Sequence, residues 1–415
     1  MTITTLQLCE GAILSYEGIL EQSSAGLRQL LKAGEEVIGY IYPHTPLELI
    51  LAHGLTPSLL RGLPGVSGGF EESLQTFACS YVRNLYSQRT NDQMPSIAGL
   101  IFPSNTCDSL HNLSDVWRFR FPDDVVFRLT YPATRHVKDG SIVRYLAKEL
   151  QLLSDGIEES LDRPFLSENY QRAVSLVGQF REDAQYLYSA RVAEPAVLSY
   201  TELCRLMRAF LTTPLPAVGL ELHNTTSLVH NRIKKMALSS VVTSILKAFK
   251  TGHFSQIKKL KSSHRPRIAV AGGMVEPQAI ANIITGVRGF IDSILILDLL
   301  SFGFKTAFTP PLDVEGDPFE EMAKSILSAP GEPTQEGLGH RMSYLEGLLG
   351  PLEVDGLMVF EQSFCDPDEF EAPSIERAAS RQGVRTVRIP IDPELSDRSR
   401  IEVRIQSFLE SFGKT

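Results

Sequence analysis

The chain has 415 residues and a formal net charge of −9, with 43% hydrophobic and 21% charged residues. That length exceeds one ordinary domain, and the balance reads as a soluble globular protein with no membrane span, since no apolar run reaches the roughly 20 residues a span needs. The acidity argues against nucleic acid as a general partner. The five cysteines are too sparse for a disulfide framework and point to a reducing cytoplasm; MTITTLQLCEGAIL has no secretory-signal pattern.

In chain order, residues 1–35 (GILEQSSAGLRQLLKAGEE) read as helical. Val37–Tyr42 reads as a strand that stops at Pro43, and PLELILAHGL follows as a helix with Pro46 in its first turn, where the missing N–H costs nothing. RGLPGVSGGF (61–70) is a loop. ESLQTFACSYVRNLYSQ is a helix carrying Cys79, Ile97–Phe102 a strand leading to Cys107, and Val125–Leu129 another strand. From about 140 to 262 the pattern is mostly helical. Strand-like runs return at Ile268–Ala271, Ser293–Leu297, Leu357–Phe360 and Thr386–Ile389, with helices between them (EPQAIANIITGV, HRMSYLEGLLG, SIERAASRQG). Strand–helix alternation implies parallel sheets with right-handed crossovers. The expectation is α/β: two doubly wound domains, 1–139 and 265–415, with a helical insert over 140–264.

Two distant segments end alike. AGLIFPSNTCD (98–108) and DGLMVFEQSFCD (355–366) each carry a short apolar run, then four residues, then Cys-Asp. Short apolar runs beside turn residues read as buried parallel strands. Cys107 and Cys365 then sit in loops beyond the carboxyl ends of strands, where open α/β sheets place ligands. Cys79, near a helix start, is a weaker third candidate, with Phe77 and Ala78 giving it the look of a core position. Cys204 lies in an apolar helical stripe and reads as core, and Cys9 as incidental. Thiolates this far apart in sequence match neither a zinc ribbon nor a ferredoxin run, whereas three cysteines from distant loops could hold an iron–sulfur cluster with one iron left open.

The residues resemble the dehydratase-component subunits of 2-hydroxyacyl-CoA dehydratases and the related benzoyl-CoA reductase subunits. GYIYPHTPLELILAHGLTP (39–57) is similar to the family's strand and Pro-Glu-Leu helix. CSYVRNLY (79–86), NTCDSLHNLSDVWR (105–118) and FCDPDEFEAPSI (364–375) are similar to its cysteine segments. IAVAGGMVEP (268–277) and ILDLLSFGFKT (296–306) fit the start of its second domain, and RSRIEVRIQSFLESF (398–412) its closing helix. The resemblance implies two flavodoxin-like domains clasping a [4Fe-4S] cluster held by Cys79, Cys107 and Cys365. It further implies a related second subunit, an ATP-hydrolysing activator protein as electron source, and an acyl-CoA substrate that loses water through a ketyl radical anion. The rivals are a subunit of an ATP-driven benzoyl-CoA-type reductase and a non-catalytic partner of a related active subunit.

His44 and Glu48, at the end of the first strand and the start of its helix, are candidates for general acid–base work, against readings as a helix cap and a solvated carboxylate. Ser80 and Thr106 flank proposed ligands. Asp108 and Asp366 follow two of them and read as shaping the loops. Gly272-Gly273 makes a strand-to-helix turn without a dinucleotide fingerprint. From Glu221 to Glu276 there is no acidic residue between the two, but many Lys and Arg from Arg232 to Arg267. That stretch reads either as a solvated face or as a docking surface for CoA phosphates or the activator.

Overall fold

The computed structural model describes residues 5–8, 12–15, 23–135, 139–258, 260, 265–287 and 294–413, with side chains from residue 26 onward. The expected all-helical start is instead an antiparallel hairpin of β1 (Thr5–Leu8) and β2 (Ala12–Ser15), followed by helix α1 (Ser23–Lys32).

The first sheet holds β3 (Val37–Tyr40), β4 (Thr56–Leu59), β5 (Gly99–Ser104) and β6 (Val126–Thr130), all parallel, in the order β4-β3-β5-β6. Helices α2 (Leu47–Ala52), α3 (Ser80–Thr90) and α4 (Asp108–Arg120) connect them. β3 and β5 are buried throughout, which is why they read as unbroken apolar runs rather than alternating ones. β4, Thr-Pro-Ser-Leu, carries no such signal; Pro57 is tolerated because the strand lies at the sheet edge.

Five helices follow: α5 (Gly140–Leu161), α6 (Ser167–Ala193), α7 (Tyr200–Thr212), α8 (Pro216–Lys235) and α9 (Ser239–Thr251). The second sheet contains β7 (Ile268–Ala271), β8 (Leu295–Leu299), β9 (Gly356–Gln362) and β10 (Arg385–Ile391), again all parallel, in the order β10-β9-β7-β8. Its helices are α10 (Pro277–Ile284), α11 (Pro318–Ser328), α12 (Leu338–Leu349), α13 (Asp366–Arg381) and α14 (Arg398–Glu410). The first sheet, numbered within its own domain, has the order 2-1-3-4, that of flavodoxin-like folds, with the switch point between its first and third strands. In the second sheet the order is 4-3-1-2, the same run of neighbours read from the other edge, and the first and third strands again lie side by side at the centre.

Helix α6 ties the two halves together. Its Arg181 Nη1 donates to Glu48 Oε1 in the first domain at 2.8 Å, and its Tyr188 hydroxyl donates to Asp298 Oδ2 on β8 at 2.7 Å. A second link pairs Arg61, after β4, with Glu276, after β7, at 2.5 Å.

Asp298 is fully buried and also accepts the backbone N–H groups of Leu300 and Phe304 through Oδ1. Those bonds shape a π-helical turn over Ser301–Lys305, whose Gly303 (φ −120°, ψ −113°) lies outside helical geometry. A Cβ at Gly303 would meet Asp298 Oδ1 at 2.2 Å and the Tyr188 hydroxyl at 2.8 Å. Gly303→Ala is therefore expected to cost about 1–3 kcal/mol through overpacking, read as a lower urea midpoint with an unchanged slope.

Candidate functional site

Each of the three candidate cysteines is the residue immediately before a helix: Cys79 before α3, Cys107 before α4, Cys365 before α13. The helix expected to carry Cys79 internally starts one residue after it, so all three thiols occupy the same kind of place. The exposed first N–H groups of a helix are orphan donors, and here they turn onto sulfur. Tyr81 and Val82 N–H bond Cys79, Ser109 and Leu110 N–H bond Cys107, and Asp368 N–H bonds Cys365. The lead-in loops twist sharply. Asn105 takes φ 60° two residues before Cys107, and Phe364 takes φ 60° directly before Cys365. Asn tolerates that region, whereas a bulky Phe there is strained, a feature that clusters at functional sites.

Two of the thiols meet across the two domains. Ser80 N donates to Ser363 O at 3.0 Å, and the Gln362 amide bonds Ser80 Oγ. Cys79 and Cys365 then share a sulfur hydrogen bond, which lowers the pKa of Cys79 and raises that of Cys365, with burial adding to the rise. Cys107 lies close enough for the charge of Cys79 to act on it, and burial pushes its thiol up to about 12. All three are free thiols. Among the described residues, no three His, Cys, Asp or Glu side chains close around one point as ligands for a single metal ion.

These donors fit an iron–sulfur group on two grounds. Cys107 and Cys365, whose thiols resist ionisation, would give up their protons to a coordinating metal, and backbone N–H bonds to sulfur are among the contacts that tune such a group. Thr106 Oγ1, beside Cys107, is buried without a hydrogen-bond partner.

His44 and Glu48 line one cavity with Thr45, Arg181, Thr306 and Thr309. Pro46, not His44, occupies the cap position of α2, which has no side-chain cap. Glu48 is 2% exposed and bonded to Arg181, so it is not a solvated carboxylate. The His44 side chain is fully buried, and Nε2 lies 3.6 Å from Glu332 Oε1, beyond hydrogen-bond length. Burial lowers its pKa to about 4, so the imidazole is neutral at neutral pH. His44 also approaches the thiols through Tyr42: the two rings meet edge-on at 5.7 Å, and Tyr42 feels the charge of Cys107.

Sequence reasoning missed Asp368, Glu332 and Lys305. Asp368, at the third position of α13, is buried and pushed up to about 7 by desolvation. Its carboxylate fills the space that a Cβ on Gly273 would need, at 2.2 Å; the Gly272-Gly273 turn thus makes room for α13. The helix-start position of an acidic residue was the available signal. Glu332 and Lys305 sit in an irregular loop and the π turn, which no periodicity reveals.

The remaining candidates divide. Cys204 is core, at 1% exposure, and Cys9 lies outside the described residues. Asp108 and Asp366 open their helices, where a carboxylate suits the helix dipole. In the basic stretch, Arg232 bonds Val197 O and Arg267 bonds Val192 O and Leu352 O, so both ends are structural. Lys234, Lys235, Lys247, Lys250 and Lys258 are exposed, while Lys259 and Lys261 lie outside the described residues.

Residues 43–412, a span holding His44 and all three cysteines, match the family model for the 2-hydroxyglutaryl-CoA dehydratase D-component. The chain belongs to this family. Among named relatives it is similar to the lactoyl-CoA dehydratase subunit beta of Anaerotignum propionicum, 22% identical over 91% of this chain and 92% of that one. A benzoyl-CoA reductase subunit of Thauera aromatica is 24% identical over 84% of this chain and 83% of its own. The (R)-2-hydroxyglutaryl-CoA dehydratase subunit beta of Acidaminococcus fermentans is 20% identical, covering 91% and 93%. The resemblance read from the cysteine segments therefore holds, as does the α/β architecture of two parallel sheets. Among the described residues, no helix is long and apolar enough to cross a membrane.

His44 supplies a pH test within this family fold. An unfolded histidine titrates near 6.5, while folded His44 titrates near 4, so between those values the unfolded state binds the extra proton. Its contribution to stability is complete above about 6.5 and falls as pH drops toward 4, by on the order of 3 kcal/mol. In His44→Gln, stability measured by denaturant titration should lose that much of its fall over the same window.

Proposed function

We propose that this chain is the iron–sulfur subunit of a 2-hydroxyacyl-CoA dehydratase-like enzyme. The observation that carries the reading is that three free thiols each sit at a helix start, with Cys79 and Cys365 hydrogen-bonded across the two sheets and Cys107 within electrostatic reach of Cys79. Cys79, Cys107 and Cys365 would hold a [4Fe-4S] cluster, which when bound supplies one-electron transfer to an acyl-CoA thioester carbonyl. The ketyl radical anion so formed on the substrate makes loss of the neighbouring hydroxide feasible. The chain's own residues do the rest. The helix-start N–H groups bond the sulfurs. His44, neutral and without a bonding partner among the described residues, handles a proton at a ring nitrogen. Glu48, fixed by Arg181, shapes the cavity His44 lines.

The relatives are each named as one subunit of an enzyme, which supports assembly with a related second subunit. Electrons would come from an ATP-dependent activator protein in the cytoplasm. The exposed lysines of α8 and α9 are available to CoA phosphates or to that activator. The division into 1–139, 140–264 and 265–415 fits the two sheets and the helices between them. A benzoyl-CoA-type reductase is the second reading, supported by the 24% identity to the Thauera protein.

Anaerobically purified protein should contain about four iron and four acid-labile sulfide per chain, with a low-temperature spin-resonance signal on reduction. Replacing Cys79, Cys107 or Cys365 with Ser should each lower the iron content, and full iron in Cys365→Ser would sink the three-ligand assignment. Metal-free protein that folds and pairs with a related chain would favour a non-catalytic partner. Turnover with activator, ATP and candidate acyl-CoA esters separates dehydratase from reductase.

A further inference from the structure

We propose that Glu332 is a positioning residue that holds His44 as the tautomer protonated on Nε2, leaving Nδ1 as the proton acceptor. This rests on the reading of His44 as the acid–base group. Glu332 lies in the loop after α11 and is 1% exposed. Its Oε2 accepts from Ser301 Oγ at 2.6 Å and from Lys305 Nζ at 3.0 Å. Its Oε1 is buried without a donor among the described residues, as are both ring nitrogens of His44. The two orphans face each other, Nε2 to Oε1, across 3.6 Å. An ionised carboxylate only accepts hydrogen bonds, so the nitrogen facing it must carry the proton. Leaving either group unpaired costs about 1–3 kcal/mol, which favours Nε2 as the protonated nitrogen facing the carboxylate.

The surroundings keep both groups in the required state. Burial opposes the charge on Glu332, yet Lys305 and Ser301 hold its carboxyl below the ordinary range. Around His44, Glu332 favours the imidazolium while burial, Arg135, Lys305 and Arg181 oppose it. The imidazole therefore stays neutral, and a neutral ring has one donor nitrogen and one acceptor.

The carboxylate is also held in place from several sides. Ser301 and Lys305 both arrive on the kinked turn that Asp298 shapes. Gln335 Oε1 accepts from Glu332 N at 3.1 Å. Thr334 bonds the Tyr42 hydroxyl at 3.0 Å, and Glu336 N donates to Ala133 O at 3.3 Å. The second domain's loop is thereby pinned to the first domain beside His44. Glu332 lies within electrostatic reach of Tyr42, next to Cys107, and of Asp368, next to Cys365.

The test is nitrogen-15 NMR of the full-length chain in its native complex, with histidines labelled and the His44 signals assigned by their loss in His44→Gln. The wild type should show the proton on Nε2 alone between pH 6 and 8, and Glu332→Gln should populate both tautomers. A wild-type His44 protonated on Nδ1 would overturn the proposal, even if the variant failed to fold. So would a pure Nε2–H signal persisting in Glu332→Gln. Full turnover in His44→Gln would refute the acid–base reading separately, with the tautomer assignment intact.

Discussion

One backbone hydrogen bond, Ser80 N to Ser363 O at 3.0 Å, governs the geometry of the candidate site. It joins the start of α3 in the first domain to the loop beyond β9 in the second, and each end of it adjoins a cysteine segment. With the Gln362 amide on Ser80 Oγ, it brings Cys79 and Cys365 to sulfur–sulfur contact from 286 residues apart in the chain, the difference of their numbers. A buried backbone group demands a partner. This contact can therefore be kept only if the two domains hold one mutual position, and α6, bonded to Glu48 on one side and Asp298 on the other, is the strut that keeps it.

The shared adjacency of first and third strands accounts for which loops contribute. In each domain these two strands flank the point where loops diverge and a cleft opens. Cys107 and Cys365 follow the third strands; His44 and Gly272-Gly273 follow the first. The domains differ after their second strands. The first domain continues from β4 through a long loop to Cys79, whereas the second makes the π turn that presents Ser301 and Lys305. One half thus supplies two thiols, and the other supplies one thiol and the buried charges.

Much of this is legible in residues. The repeated Phe-x4-Cys-Asp marks equivalent loops because a parallel strand buried on both faces writes an unmistakable apolar run before the loop it feeds. β3, β5, β7 and β9 are visible for that reason, and the apolar stripe around Cys204 correctly marks it as core. β4 is not, since Thr-Pro-Ser-Leu at a sheet edge needs neither apolar continuity nor every N–H. The hairpin of residues 5–8 and 12–15 reads as helix, because four-residue strands leave too little pattern to outweigh the helical composition around them. Glu332 and Asp298 are out of reach. Their importance comes from partners more than 100 residues away or from a local π turn, and neither leaves a periodic trace.

The distribution of charge explains how such a site stays assembled. Buried carboxylates beside thiols would repel any negative charge the sulfurs acquire. Here Asp368, whose backbone N–H bonds Cys365, has its carboxyl pKa raised to about 7 by burial, so much of it is neutral at neutral pH. Glu332 keeps its charge but spends it on Lys305, whose ammonium also donates to Gly272 O at 3.3 Å. The donors facing the sulfurs are the N–H groups at three helix starts, each carrying partial positive charge. A pocket that burial alone would make hostile to thiolates is therefore lined with groups that favour them.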